Sequence, residues 1–217
     1  MPVDYKLLQS YLETLVPARH PELLVMEEYA KKNEFPILGP ASCQFCYQLA
    51  RLIGARKVYE MGSGYGYSTA WFARAVEENG GGMVWHTVWD QELSDMAKKH
   101  LSAMGYGEPG SGTNVEIDYT MGEAVEALTH TPGIYDIIFN DIDKDAYPDT
   151  IDLVHERLRP GGLFITDNVI WSGRVTDAEP DDTTKRIIEF TDRLVKSPKW
   201  ICSIVPIRDG LMVATRI

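Results

Sequence analysis

Acids crowd two short stretches of this chain. Phe139-Asn140-Asp141-Ile142-Asp143-Lys144-Asp145-Ala146-Tyr147 carries an acid at alternate positions, and Asp167-Asn168 follows further on. Such spacing allows two kinds of cation site. A calcium loop would use Asp141, Asp143 and Asp145 as its first, third and fifth ligands and Asp152 as its twelfth. Its sixth place turns on glycine and here holds Ala146, while its twelfth calls for a bidentate Glu. The preceding run, Ile137–Phe139, also reads as strand where that loop needs helix. The other kind draws its ligands from two neighbouring strand ends. Parallel strands lie about 4.8 Å apart, so Asp141, Asp167 and Asn168 can converge on one ion if each follows such a strand. Two carboxylates and an amide oxygen are hard donors, suited first to Mg²⁺, then to Mn²⁺ or Ca²⁺, and poorly to Zn²⁺ or copper. They leave about three octahedral positions for water and substrate. Turn-forming and capping acids account for any one of the three, but poorly for all together.

A different chemistry belongs to Glu60-Met61-Gly62-Ser63-Gly64-Tyr65-Gly66-Tyr67-Ser68. Glycine permits positive φ and lets a ligand approach the backbone without meeting a Cβ. A helix opening just afterwards offers unpaired N–H groups. The plain alternative is a tight strand-to-helix turn with no ligand. The dinucleotide fingerprint G-x-G-x-x-G would need glycine where Tyr67 stands, so NAD is disfavoured. Acid-x-Gly-x-Gly-x-Gly is instead the pattern of Rossmann-like, S-adenosylmethionine-dependent methyltransferases. There the strand-end acid, here Glu60, sits near the cofactor's amino-acid end.

Elements must place these groups on one edge. From Arg56 onward, β-rich runs at Lys57–Met61, Met83–Trp89, Asn114–Tyr119, Tyr135–Asn140 and Leu163–Thr166 alternate with helical ones. The helical runs are Ser68–Glu78, Gln91–Met104, Glu123–Leu128 and Tyr147–Leu158, with a later one at Thr183–Val195. Strands alternating with helices predict crossover units and a mostly parallel sheet covered on both faces. Trp200–Val205 and Leu211–Thr215 are joined too closely for a crossover, so they predict an antiparallel hairpin. The expected fold is α/β and Rossmann-like, with seven strands, one of them reversed. The first ~55 residues read as helices instead: Leu7, Leu8, Tyr11, Leu12 and Leu15 recur at helical spacing, then come Pro21 to about Lys32 and Ala41–Ile53. One domain is expected, residues 1–55 forming a helical cap and 56–217 the core.

With 21 Lys plus Arg against 32 Asp plus Glu, the net charge of −11 argues against nucleic acid and anionic membrane as partners. No apolar run approaches the roughly 20 residues a membrane helix needs. The polar N-terminus shows no secretory leader, so a cytoplasmic location is expected. Cys43 and Cys46 form a C-x-x-C without a second pair or nearby His, which reads as core packing on a helix.

Taken together, the chain resembles the cation-dependent O-methyltransferases of the catechol and caffeoyl-coenzyme A type. The likeness covers nearly its whole length. It rests on Gly62–Ser68, Asp141-x-x-Lys144 with Tyr147, Arg159-Pro160-Gly161-Gly162, Asp167-Asn168-Val169-x-Trp171-Ser172-Gly173-Arg174-Val175, and Pro206-Ile207-Arg208-Asp209-Gly210-Leu211. The small bacterial branch is nearest in length and in its Arg208-Asp209-Gly210 turn. The resemblance implies that Asp141, Asp167 and Asn168 hold the metal and that Lys144 is the general base. It implies Glu60, Gly62, Gly64 and Ser68 at the methionine end of S-adenosylmethionine and Gly122 and Glu123 near its adenine. Trp89, Asp90 and Asp141 would also border that cofactor. Trp171 and Arg174 would border a small phenolic acceptor, the N-terminal helices would close over the cofactor, and the protein would be a homodimer.

Two residues depart from the family pattern. The acid that usually ends the second strand and holds the ribose is Val88 here, unless Asp90 substitutes after a shift in register. Asn140 is polar where a β-branched residue is usual. The expected reaction moves a methyl group from sulfonium to a catechol oxygen, with Lys144 accepting the proton if it is neutral; the plain alternative for Lys144 is a solvent ion pair with Asp143 or Asp145. Alternatives are a methyltransferase for a non-catechol acceptor, such as a hydroxamate, and a cofactor-binding protein without catalysis.

Overall fold

The computed structural model describes residues 5–107 and 112–217, so Met1–Asp4, which bear on the leader reading, lie outside the described residues. Helices α1 (Tyr5–Thr14), α2 (Pro21–Asn33) and α3 (Pro40–Leu52) come first. Pro21 and Pro40 each open a helix, where a missing N–H does no harm. Helix α2 ends at Glu34, which takes up a left-handed φ of 52° as its C-cap.

The alternating part follows as β1 (Lys57–Met61), α4 (Tyr67–Glu78), β2 (Gly82–Val88), α5 (Gln91–Ala103), β3 (Val115–Met121), α6 (Ala124–His130) and β4 (Tyr135–Asn140). Then come α7 (Tyr147–Arg157), β5 (Leu158–Thr166), α8 (Asp182–Lys196), β6 (Trp200–Val205) and β7 (Leu211–Arg216). They build a seven-stranded sheet in the order β3-β2-β1-β4-β5-β7-β6. Strands β1 to β5 run parallel, and β7 is the reversed strand, antiparallel to both β5 and β6.

Side-chain alternation sends each strand's residues to two separate cores. Val58, Ile137, Phe139 and Ile165 pack with α2 to α5 on one face. Tyr59, Met61, Ile138 and Phe164 pack with α6 to α8 on the other. Helix α8 shows how the pattern works. Ile187, Phe190 and Leu194 bury one stripe, and Asp181 caps the start by accepting from the Thr184 N–H at 2.7 Å.

Several boundaries differ from the pattern reading, and three of them bear on the site. Strand β2 ends at Val88, and Trp89 lies beyond it, 72% exposed. Strand β3 runs two residues further, to Met121. Helix α7 stops at Arg157 because Leu158 already pairs with Tyr135, and the register then shifts to Ile137 opposite Leu163. Arg159-Pro160-Gly161-Gly162 fills that irregularity, the kind of place where proline and glycine are tolerated in a sheet. Cys43 and Cys46 are buried in α3, and burial raises both thiols' pKa, so neither acts as a ready thiolate ligand. No described helix is long and apolar enough to cross a membrane.

Candidate active site

Parallel strands deliver their carboxyl ends to one edge of the sheet, and there lies a cavity of about 620 Å³. The loop after β1 gives it Gly62 and Gly64; the end of β2 gives Thr87, Val88 and Trp89; the end of β3 gives Gly122 and Glu123. Asp141 to Lys144 enter after β4, and Asp167, Asn168 and Trp171 after β5. Phe35, Pro36 and Ile37, between α2 and α3, also line it, together with Arg208 of the β6–β7 turn, which donates to the Ile37 carbonyl.

The glycine turn is fixed by close approach. Gly62 has φ +81°, and a Cβ there would stand 2.4 Å from the Asp141 carbonyl oxygen. The Asp141 N–H donates to the Met61 carbonyl at 2.9 Å, so the turn after β1 and the loop after β4 are locked together. Ser68 lines a smaller adjoining cavity with Gly62 and Gly64. Glu60 is fully buried beneath, with no hydrogen-bond partner for either carboxyl oxygen. Burial pushes its pKa up to about 7, the Ser68 and Thr69 hydroxyls, near it but outside hydrogen-bonding geometry, pull against that shift, and the charge of Asp141 adds to it. Beside it in register stands His86, also fully buried, with Thr69 Oγ1 3.1 Å from its Nδ1.

Two expected cofactor contacts have other duties. Asp90 is the N-cap of α5 and accepts from the Leu93 N–H at 3.0 Å, leaving Val88 and Trp89 to face the cavity. No shift in register therefore brings an acid into the place of Val88. Glu123 faces the cavity but also caps α6, accepting from the N–H groups of Val125 and Glu126 at 3.0 and 2.8 Å.

The acidic cluster faces the same cavity. Lys144–Ala146 form a single 3₁₀ turn directly after a strand, which rules out the helix–loop–helix calcium geometry. Among the described residues no three His, Cys, Asp or Glu side chains gather as a metal group; the candidate donors are the Asp141 and Asp167 carboxylates and the Asn168 amide, all lining one cavity. Asp167 is 3% exposed, and its Oδ1 has no hydrogen-bond partner. Burial, and then repulsion from Asp141, raise its pKa. A divalent ion would relieve both penalties, so the donor set fits one of hard character. Asn168 holds a left-handed φ of 60°, a conformation that Asn tolerates well.

Lys144 does not reach into solvent to Asp143 or Asp145. Its Nζ lies 3.1 Å from Asp141 Oδ1 and 3.1 Å from the Ile142 carbonyl, above the rings of Tyr147 and Trp171. Trp171 lines the cavity, whereas Arg174 does not: its guanidinium stacks on the Trp171 ring at 4.2 Å and pairs with Asp181 at 3.7 Å. The loop carrying Asn168 to Ser172 is tied to the β6–β7 turn. Val169 and Ile170 donate to the carbonyls of Gly210 and Asp209, and the Ser172 N–H donates to the Asp209 carboxylate. A Cβ on Gly210 would stand 2.4 Å from Ile170 Cγ1, which keeps that position glycine.

Pattern reading missed Phe35, Pro36, Ile37 and Thr87, and it read Arg208 only as part of a turn. Phe35 and Pro36 lie between helices, where periodicity carries no signal. Arg208 did have one, as a long cation placed before Asp-Gly at the edge that receives ligands.

An open α/β sheet with a glycine turn after β1 and paired acids after β4 and β5 defines a class of protein that binds small molecules across its carboxyl edge. Residues 18–217 match the family model described as O-methyltransferase, and the chain belongs to that family. It is 28% identical to a caffeoyl-CoA O-methyltransferase of Petroselinum crispum, over 97% of this chain and 90% of that one. It is 27% identical to a catechol O-methyltransferase of Niastella koreensis, over 80% of this chain and 77% of that one. Among solved structures, the O-methyltransferase TomG from Streptomyces achromogenes, in complex with SAM, superposes with a TM-score of 0.81 at 22% identity, over 100% of this chain and 99% of that one.

Proposed function

We propose that the protein transfers a methyl group from S-adenosylmethionine to one hydroxyl of a catechol-like small molecule, with a divalent cation and Lys144 assisting. The observation that carries this is the buried, unpartnered Asp167 oxygen beside Asp141 and Lys144, in the cavity that the glycine turn also lines. A phenol titrates near pH 10, so at neutral pH it needs help to become a nucleophile. When bound, the cation would favour the ionised form of a vicinal hydroxyl and S-adenosylmethionine would supply an activated methyl group.

The chain's own residues do the rest. Asp141, Asp167 and Asn168 hold the metal. Lys144 Nζ, anchored at Asp141 and the Ile142 carbonyl, faces the acceptor and takes the hydroxyl proton once it is itself neutral. Gly62, Gly64 and Ser68 admit the donor's amino-acid end, and Gly122 and Glu123 border its adenine. Trp171 offers a flat wall to the aromatic ring, while Phe35, Pro36 and Ile37 keep water away. Residues 1–55 act as a cap on one methyltransferase domain. A homodimer agrees with the apolar side chains that α1 and α2 expose, Tyr11, Leu24 and Val25 among them.

Methyl transfer from S-adenosylmethionine, measured over a panel of catechols and caffeoyl thioesters with Mg²⁺ or with chelator, tests the reading. Transfer that needs Mg²⁺ is the expected result. No transfer to any catechol, or full transfer in chelator, would contradict it.

A further inference from the structure

The sheet order divides the edge. The glycine turn and Gly122 follow β1 and β3, Asp141 and Asp167 follow β4 and β5, and Arg208 stands beyond them in the turn leading into β7. Along the sheet Arg208 thus follows the strands that carry Asp141 and Asp167, and its side chain crosses to the Ile37 carbonyl. It lines the same cavity as Asp167, and its charge lowers the pKa of that carboxyl.

Cations facing this cavity are few. The lining includes Glu123, Asp141, Asp143 and Asp167, with Lys144 and Arg208 as its Lys or Arg side chains. Lys144 is committed to Asp141. Arg174 is spent outside the cavity on Trp171 and Asp181. Arg208 donates from Nη1 to the Ile37 carbonyl and makes no ion pair with any carboxylate among the described residues. Its backbone is strained: φ is +50°, a region that long side chains seldom enter. Its N–H donates to Gln9 Oε1 at 2.9 Å, and its Cδ lies 3.2 Å from where a Cβ on Gly39 would be, so α1 and the start of α3 hold it in place. A strained, anchored guanidinium facing a cavity crowded with acids suits an anionic group brought in by a ligand.

We propose that Arg208 is a specificity-determining residue that selects acceptors bearing a carboxylate in addition to the vicinal hydroxyls. The proposal rests on the catechol reading above. The guanidinium presents a planar fork of N–H donors matched to a carboxylate, while the two hydroxyls face Asp141 and Asp167.

The test compares protocatechuate with its uncharged amide, for the wild type, Arg208→Gly and Arg208→Lys. Glycine relaxes the positive φ, so that variant should fold at least as well as the wild type. Expected for Arg208→Gly is a KM about 10- to 100-fold higher for the acid, with kcat little changed and the amide shifted less than about twofold. Arg208→Lys should fall between, since a point charge lacks the fork. Equal shifts for acid and amide would mean that Arg208 merely straps the cap to the hairpin, and would overturn the proposal.

Calorimetric titration of the acid, with Mg²⁺ and S-adenosylhomocysteine present, separates the two readings. Arg208-dependent binding of the acid without methyl transfer to either compound would remove the catechol-transfer reading and leave the anion site standing. Transfer to both compounds that is indifferent to Arg208 would remove the anion site alone.

Discussion

The two halves of the cavity are built from different materials. The half proposed for the donor, after β1 to β3, turns on backbone: Gly62, Gly64 and Gly66 all take positive φ, and one close approach ties Gly62 to Asp141, while Thr87, Val88, Trp89 and Glu123 add side chains. The half proposed for the acceptor, after β4, β5 and before β7, turns on side chains. Four non-glycine residues with positive φ sit there, Asn168, Trp171, Ser172 and Arg208, against Glu34 alone elsewhere among the described residues. A backbone cradle can hold any molecule bearing the same amino-acid end. Side chains held in strained conformations are tuned to one kind of chemistry, and each can be altered separately.

That contrast is broken most forcefully at Lys144. Lys144→Ala should slow methyl transfer by about 10²–10⁴-fold if Nζ is a true base. Single-turnover rates check it, and a loss below about threefold would reduce Lys144 to a partner for Asp141. On the donor side, Gly62→Ala forces a Cβ against the Asp141 carbonyl in a left-handed conformation. Overpacking of this kind costs about 1–3 kcal/mol, and it should appear as weaker S-adenosylhomocysteine binding by calorimetry together with a lower melting temperature. Unchanged affinity would mean that the turn does not cradle the donor.

The layers beneath the two halves sharpen the comparison. Under the donor half, burial depresses His86 to a pKa of about 3, from an ordinary 6.5. Both native and unfolded chains leave this ring neutral above pH 6.5. As pH falls below that value the unfolded chain takes up a proton that the native one refuses until about pH 3, so His86 withdraws stability across that window. The loss is on the order of a few kcal/mol. Urea titrations at stepped pH should show a shallower acid slope in His86→Asn; an identical slope would place the acid sensitivity elsewhere.

Under the acceptor half, Asn140 is fully buried with both amide atoms unpartnered. Replacing a buried, unpaired polar group by an apolar one of similar shape is stabilising. Asn140→Val should therefore raise stability by about 1 kcal/mol and the melting temperature by about 2–4 °C in a chain of this size. A fall in melting temperature would show the amide to be bonded in solution.

Much of this was legible in the chain itself, for reasons that differ between the halves. Strand and helix alternation follows from periodicity, which one face of each element enforces. The seven strands and the reversed partner in the terminal hairpin emerged as expected. The glycine spacing after β1 is readable because only glycine tolerates those backbone angles. Asp141, Asp167 and Asn168 were readable because residues just past adjacent strand ends must lie near one another. Other features depend on contacts that periodicity does not encode. Leu158 begins a strand where helical pattern continues, because Tyr135 pairs with it. Asp90 looked available to a ribose, yet the first turn of α5 claims its carboxylate. Arg174 was expected at the acceptor and Arg208 only in a turn; stacking on Trp171 keeps the first out of the cavity, and the hairpin turn delivers the second.

The central claim is that two aspartates and an asparagine hold one hard dication at the carboxyl edge. Mn²⁺ binding followed by electron paramagnetic resonance, in the wild type and in Asp141→Ala and Asp167→Ala, addresses it without any need for turnover. The account predicts one tight site in the wild type and loss of that site in both variants, each still folded by circular dichroism. Equal Mn²⁺ binding in the wild type and both variants would contradict it.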